Sequence, residues 1–151
     1  MRHFVVQPLQ GIGPVQLGAA RGAVIAALGE PGCTFKKTPD SQHATDAWFE
    51  NGFEVFYAGT EPVVEYIELS RDNGFTATLL GRPVFTTLAS DLVSHIEHVA
   101  SFDTSDFELG YSYVFPSIEL SLWRPVVEWP EGRFFSTVGI GAIGYYSRRG
   151  A

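Results

Sequence analysis

The sequence is short of the residues that several kinds of chemistry require. Cys33 is the only cysteine in 151 residues, so no disulfide can form within the chain, which suits a reducing compartment. Basic residues are scarce: Lys and Arg total 10 against 17 Asp and Glu, a net charge of −7. Adjacent cations occur only at Lys36-Lys37 and Arg148-Arg149, read here as solvated loop and tail charges. Binding to a phosphate backbone needs a basic footprint, so a nucleic-acid partner is excluded. No apolar run approaches the roughly 18 residues of a membrane-spanning helix, and MRHFVVQPLQ has no apolar core of signal-peptide length. No Gly-x-Ser-x-Gly elbow is present. These absences lead to the expectation of a soluble cytoplasmic protein without a membrane or nucleic-acid partner. Its acidic surface suits a basic protein.

What the chain does have is apolar and aromatic material. Hydrophobic residues make up 45% and aromatics 14%, including 12 Phe, enough for a core and a bias toward sheet. His3 to Gln7 is a strand candidate that Pro8 ends, and Val15 to Leu17 is a brief extended piece. Ala20, Val24, Ala27 and Leu28 then recur at helical spacing, and Gly29 and Pro31 stop the helix. Cys33 to Thr45 reads as loop. Asp46 to Glu50 and Phe53 to Tyr57 read as strands around an Asn51-Gly52 type I′ turn, and Val63 to Ser70 alternates as a third strand.

After the linker RDNGF (71–75) the pattern starts over. Thr76 to Leu80 is extended, and a turn at Gly81-Arg82-Pro83 follows. Thr86 or Thr87 caps a helix marked by Leu88, Leu92, Ile96, Val99 and Ala100. After an acidic loop, Tyr111 to Phe115, Ile118 to Trp123 and Arg133 to Ile143 read as strands. EVFY and ELSLW recur about 65 residues apart, as do VQLG and LLGR. The expected fold is therefore α+β, a single domain of two similar halves, 1–73 and 74–151. Each half is a β-α-β-β-β unit, together forming one antiparallel sheet with two helices on one face.

Over about 20 residues, GPVQLGAARGAVIAALGEP resembles the helix motif of small bacterial repeat domains. Leu17-Gly18, Val24 and Leu28-Gly29-Glu30-Pro31 carry the likeness to the small outer-membrane lipoproteins of the barrel-assembly machinery and to the β-lactamase inhibitor protein. The resemblance implies a tandem helix-plus-sheet repeat with a binding surface on the sheet. The chain departs from that pattern in having Ala19 where a capping Ser or Thr is usual, no disulfide and no Leu-Gly-x-Pro in its second half.

Several clusters could carry chemistry. Gly139, Gly141 and Gly144 match Gly-x-Gly-x-x-Gly, but a dinucleotide loop needs a helix after it and the sequence ends seven residues later, so the plainer reading is a Gly-softened strand next to a close neighbour. Asp91, His95 and His98 lie at i, i+4 and i+7 on the second helix, a spacing for metal ligands or a solvated helix face. Cys33 with His43 suggests a thiol site, or simply a small buried cysteine. Glu54, Glu65, Glu68 and Glu119 could pair for acid–base work, or decorate an acidic sheet face.

Strand alternation points furthest. Phe53, Val55 and Tyr57 share one face, leaving Glu54 and Phe56 on the other; Ile67 and Leu69 oppose Val64, Tyr66 and Glu68; Ile118, Leu120 and Leu122 oppose Glu119, Ser121 and Trp123. If helices cover the first face, the second presents Glu54, Phe56, Tyr66, Glu68, Glu119 and Trp123, aromatics among carboxylates and the composition of a protein-binding face. Coverage by loops or by a second copy in a homodimer is the other reading. The function expected is non-catalytic protein binding, of the immunity or inhibitor type, with no cofactor. The alternative is a small-molecule binder or enzyme with a pocket between the halves, using metal at Asp91, His95 and His98.

Overall fold

The computed structural model of the protein describes residues 1–149, without the side chains of Arg148 and Arg149. It is α+β and dominated by strands. The first half runs β1 (Arg2–Gln7), β2 (Gly11–Ile12), β3 (Val15–Gln16), α1 (Arg21–Leu28), β4 (Cys33–Phe35), β5 (Thr45–Trp48), β6 (Phe53–Ala58) and β7 (Val63–Ser70). The second runs β8 (Phe75–Leu79), β9 (Arg82–Pro83), α2 (Ala89–Ile96), β10 (Ser112–Phe115), a 3₁₀ turn at Pro116–Ile118, β11 (Leu120–Trp123), β12 (Thr137–Gly141) and α3 (Tyr145–Arg149).

The strands form two sheets rather than the single antiparallel one expected. One is ordered β3-β2-β1-β8-β9, the other β10-β11-β12-β7-β6-β5-β4. In the first, β1 and β8 pair in parallel, with His3 opposite Thr76 and Val6 opposite Leu79. A parallel pair needs a long crossover, and nearly the whole first half supplies it. In the second sheet β7 pairs antiparallel with β12, Val138 opposite Leu69. Each sheet thus contains strands from both halves.

Local chemistry explains the boundaries. α1 begins without a side-chain cap. The edge of β7 substitutes: Arg21 N donates to the Pro62 carbonyl, Gly18 N to that of Val64, and Val64 N to that of Ala19. The helix ends at Gly29, whose φ of 85° is open to glycine, and the Trp48 indole donates to the Gly29 carbonyl at 2.9 Å. α2 is shorter than the apolar spacing suggests: it stops at Ile96, leaving Val99 exposed.

Two further expectations are corrected. The β5–β6 connection is no two-residue type I′ turn, because Phe49, Glu50 and Asn51 all have positive φ while Gly52 does not. Gly52 is small for a packing reason: a Cβ there would strike the Asn73 side chain, whose amide bonds the Ser70 and Arg71 carbonyls. The loop read over 33–45 contains the edge strand β4, too short to show alternation, and Cys33 on it is exposed rather than buried.

One hydrophobic cluster joins the elements. Phe4 and Val6 of β1, Val24 of α1, Phe53 and Val55 of β6, Ile67 and Leu69 of β7, Leu92 and Ile96 of α2, and Leu120 and Leu122 of β11 are all buried in it. On the opposite face of the seven-stranded sheet Glu54, Phe56 and Glu68 are only half-buried.

Candidate functional site

Strand alternation on β6 and β7 delivers a patch of paired side chains. Glu54 lies directly opposite Glu68, and Phe56 opposite Tyr66. Beyond Phe56 the register shifts, so Val64 pairs with Tyr57 and turns into the core instead of joining the aromatic face. Ser112 and Val114 of β10, Ser121 of β11, Phe35 and Lys37 at β4, and Tyr145 and Tyr146 of α3 wall in the paired residues. The hollow has a volume of about 480 Å³.

Its aromatic wall is built by glycines. Gly139 pairs with Glu68 and Gly141 with Tyr66. A Cβ on Gly139 would collide with the Tyr66 hydroxyl, and one on Gly141 would lie 2.6 Å from Cγ of Tyr145. The Gly-x-Gly-x-x-Gly run is therefore the seat of a tyrosine stack: Tyr66 and Tyr145 are 4.6 Å apart and 8° from parallel. The Tyr66 hydroxyl donates to Glu68 Oε1 at 3.1 Å, and that of Tyr146 donates to Ser121 Oγ at 2.5 Å.

The electrostatics favour a cation or a shared proton. Burial, then the neighbouring Glu68, raises the Glu54 pKa, with Lys37 opposing. Burial also raises Glu68, against the Tyr66 hydrogen bond and Lys37. Burial is the largest cause for both tyrosines: Tyr66 is raised well above its ordinary value and Tyr146 is pushed up to about 12. A carboxyl whose folded pKa is raised binds its proton more tightly in the native state, so stability falls as pH rises from the ordinary glutamate value through the raised one. Glu54→Gln should flatten that fall, as read by urea denaturation between pH 4 and 8. A variant with the wild-type slope would show that Glu54 does not contribute to it.

Two residues assigned to this face behave otherwise. Glu119 is buried with φ of 50°, a left-handed turn that breaks the strand alternation. Its Oε1 accepts from Gly144 N at 3.0 Å and its Oε2 from Tyr146 N at 2.9 Å, so it anchors the start of α3. Trp123 sits beyond the hollow, opposite Ser112 and Thr137, and is 40% exposed.

Asp91, His95 and His98 do line one shallow hollow, together with Arg82. There His95 Nε2 bonds the Leu80 carbonyl at 2.7 Å and His98 Nδ1 that of Ser94 at 3.0 Å. His98 lies past the end of α2. Among the described residues no group of three or more His, Cys, Asp or Glu is placed to hold a metal ion. The ring of His43, considered with Cys33, bonds the Gly59 carbonyl at 2.6 Å.

Sequence reasoning missed Lys37, Tyr145 and Tyr146 in the hollow, and the Arg21–Asp46 pair behind it. The signal for Asp46 was a carboxylate inside a short run of otherwise apolar and small residues, Thr45-Asp46-Ala47-Trp48, every one of which is buried. No protein-family model, curated protein or solved structure matches the chain.

Proposed function

We propose that the protein is a non-catalytic binding protein whose acidic, aromatic hollow receives a basic side chain of another protein. One observation carries this reading. The chain's own Lys37 holds its ammonium 5.3 Å from the centre of the Phe56 ring, in the field of Glu54 and Glu68. An aromatic face and two carboxylates attract a cation by quadrupole and by charge, and a partner's Lys or Arg would meet the same groups. Trp123, exposed beyond the hollow on the same strand as Ser121, adds an amphipathic anchor.

An immunity-type or inhibitor protein acting in the cytoplasm on a basic partner is the concrete form of this proposal. Kinship with tandem helix-plus-sheet repeats belongs to it as well. In each half a helix stands between leading strands and a run of three or four strands, the two first strands pair with each other, and so do the two last. That layout supports duplication of one unit.

Capture of partners from native lysate, quantified by mass spectrometry, tests the binding reading. Tyr66 is too buried to be a clean probe, so the variants are Glu54→Lys and Trp123→Ala. The expected result is a stoichiometric partner that binds the wild type, is lost with Glu54→Lys, and is weakened by about 1–2 kcal/mol with Trp123→Ala. Lys37→Ala should retain or strengthen it. No partner on the wild type, or equal capture by all variants, would sink the reading. A solution mass of two chains would instead favour burial of this face in a homodimer.

A further inference from the structure

We propose that a second hollow, where the two halves meet beside β1 and β8, binds a small amphipathic anion: an organic carboxylate with a short apolar body. Its volume is about 750 Å³, within the size range of small-molecule sites. Pro83, Phe85 and Phe134 give it apolar walls.

Its charge runs against that of the chain. Two arginines, Arg71 and Arg133, line it with one acidic residue, Asp72, whereas the whole chain carries −7. The two arginines come from segments at the same end of the β7–β12 pair. Arg71 follows the end of β7 and Arg133 precedes β12, and Arg71 N donates to the Ser136 carbonyl at 3.0 Å, tying the two segments. Asp72 lies 3.4 Å from Arg71 Nε but its side chain is 85% exposed, so the pair is solvated and weak. Arg133 gives Nη1 to the Pro130 carbonyl at 2.9 Å and packs 5.0 Å from the Phe134 ring, which places its charge at the apolar wall. A guanidinium has five donors in a planar fork that matches a carboxylate.

A polar floor completes the hollow. His3 faces Thr76 across the parallel pair, and its ring is fixed by Thr76 Oγ1 at 2.6 Å and Thr78 Oγ1 at 3.2 Å. An apolar molecule without charge would leave two guanidiniums unused, and a cation would be repelled. A nucleic acid would meet the acidic remainder of the surface. An anion with an apolar body uses both the walls and the arginines. No residue of the acidic hollow lines this one.

Fluorescence titration with 1-anilinonaphthalene-8-sulfonate, an aromatic sulfonate of the right kind, tests it, with octanoate and octylamine as competitors. The wild type should bind saturably at one site, octanoate should displace the probe, and octylamine should not. Arg71→Gln/Arg133→Gln should weaken binding by about tenfold or more. Thr76→Trp, which fills the hollow from the exposed side of β8, should abolish it, while Glu54→Lys should leave it unchanged. The near-UV circular dichroism of each variant checks its fold, and either variant suffices if the other fails to fold. No saturable binding to the wild type, unchanged affinity in a folded variant, or displacement by octylamine as effective as by octanoate would overturn the assignment.

Discussion

Replacing Arg21 with Met should destabilise the protein by about 3 kcal/mol at pH 7, because it strands a buried charge. Asp46 is wholly buried and accepts four hydrogen bonds: from Arg21 Nε at 2.7 Å and Nη2 at 3.0 Å, Thr34 at 2.9 Å and Tyr57 at 2.8 Å. Removing the guanidinium leaves two hydroxyls to hold a carboxylate out of water. The expected loss lies at the low end for a broken buried pair because the Arg21 side chain is itself 41% exposed. Arg21→Met/Asp46→Leu should recover part of it, since an apolar pair has no charge to desolvate.

The pH dependence gives this expectation a second readout. Burial pushes the Asp46 pKa up, but hydrogen bonds from Arg21, Tyr57 and Thr34 overcome it and hold the group below its ordinary value. A depressed carboxyl contributes stability above its unfolded pKa, and that contribution is lost as pH falls through the folded one. Without Arg21, burial should win and the carboxyl should take up a proton at higher pH. The gap between variant and wild type should then narrow on acidification from pH 7 to 4.5, as measured by urea denaturation. A loss under 1 kcal/mol, or a gap independent of pH, would count against the argument. The pair also bears on the candidate site, since Asp46 links α1 to β4 and β6 through Thr34 and Tyr57. β4 leads directly into Lys37.

This cluster shows what kind of information the sequence withheld. Features with a local period were legible. β7 spans Val63–Ser70 as its alternation indicates, and Glu54, Phe56, Tyr66 and Glu68 share a face because two-residue periodicity fixes it. The stop of α1 at Gly29 was legible from chain conformation alone. Contacts between distant segments left no such trace. Tyr145 and Tyr146 reach the hollow from the chain's last helix, and Arg21 meets Asp46 from 25 positions away. The parallel pairing of β1 with β8 joins residues 73 apart. Glu119 failed for the opposite reason: one left-handed residue after a 3₁₀ turn interrupts the local period itself.

Phe4→Ala should have the larger effect, about 3–5 kcal/mol. The ring is 1% exposed on β1 in the five-stranded sheet. It meets Phe53 of β6 edge-on at 5.1 Å, Phe75 of β8 at 5.4 Å and Phe49 at 5.7 Å. Phe4 thus seats one sheet on the other, and edge-to-face geometry adds to its buried area. The cavity left behind has little freedom to collapse. On one side the ring packs on the backbone of Gly13, where a Cβ would come within 2.6 Å of Phe4 Cδ1. Another ring, Phe53, is fixed against Trp48 at 6.3 Å. That rigidity argues for the upper half of the range. Because the lost contacts join the sheets, far-UV circular dichroism and tryptophan fluorescence should report one shared transition at a lower denaturant midpoint. A loss below 1.5 kcal/mol would mean that the neighbouring rings repack into the space. Separate transitions would mean that the two sheets hold together without this junction.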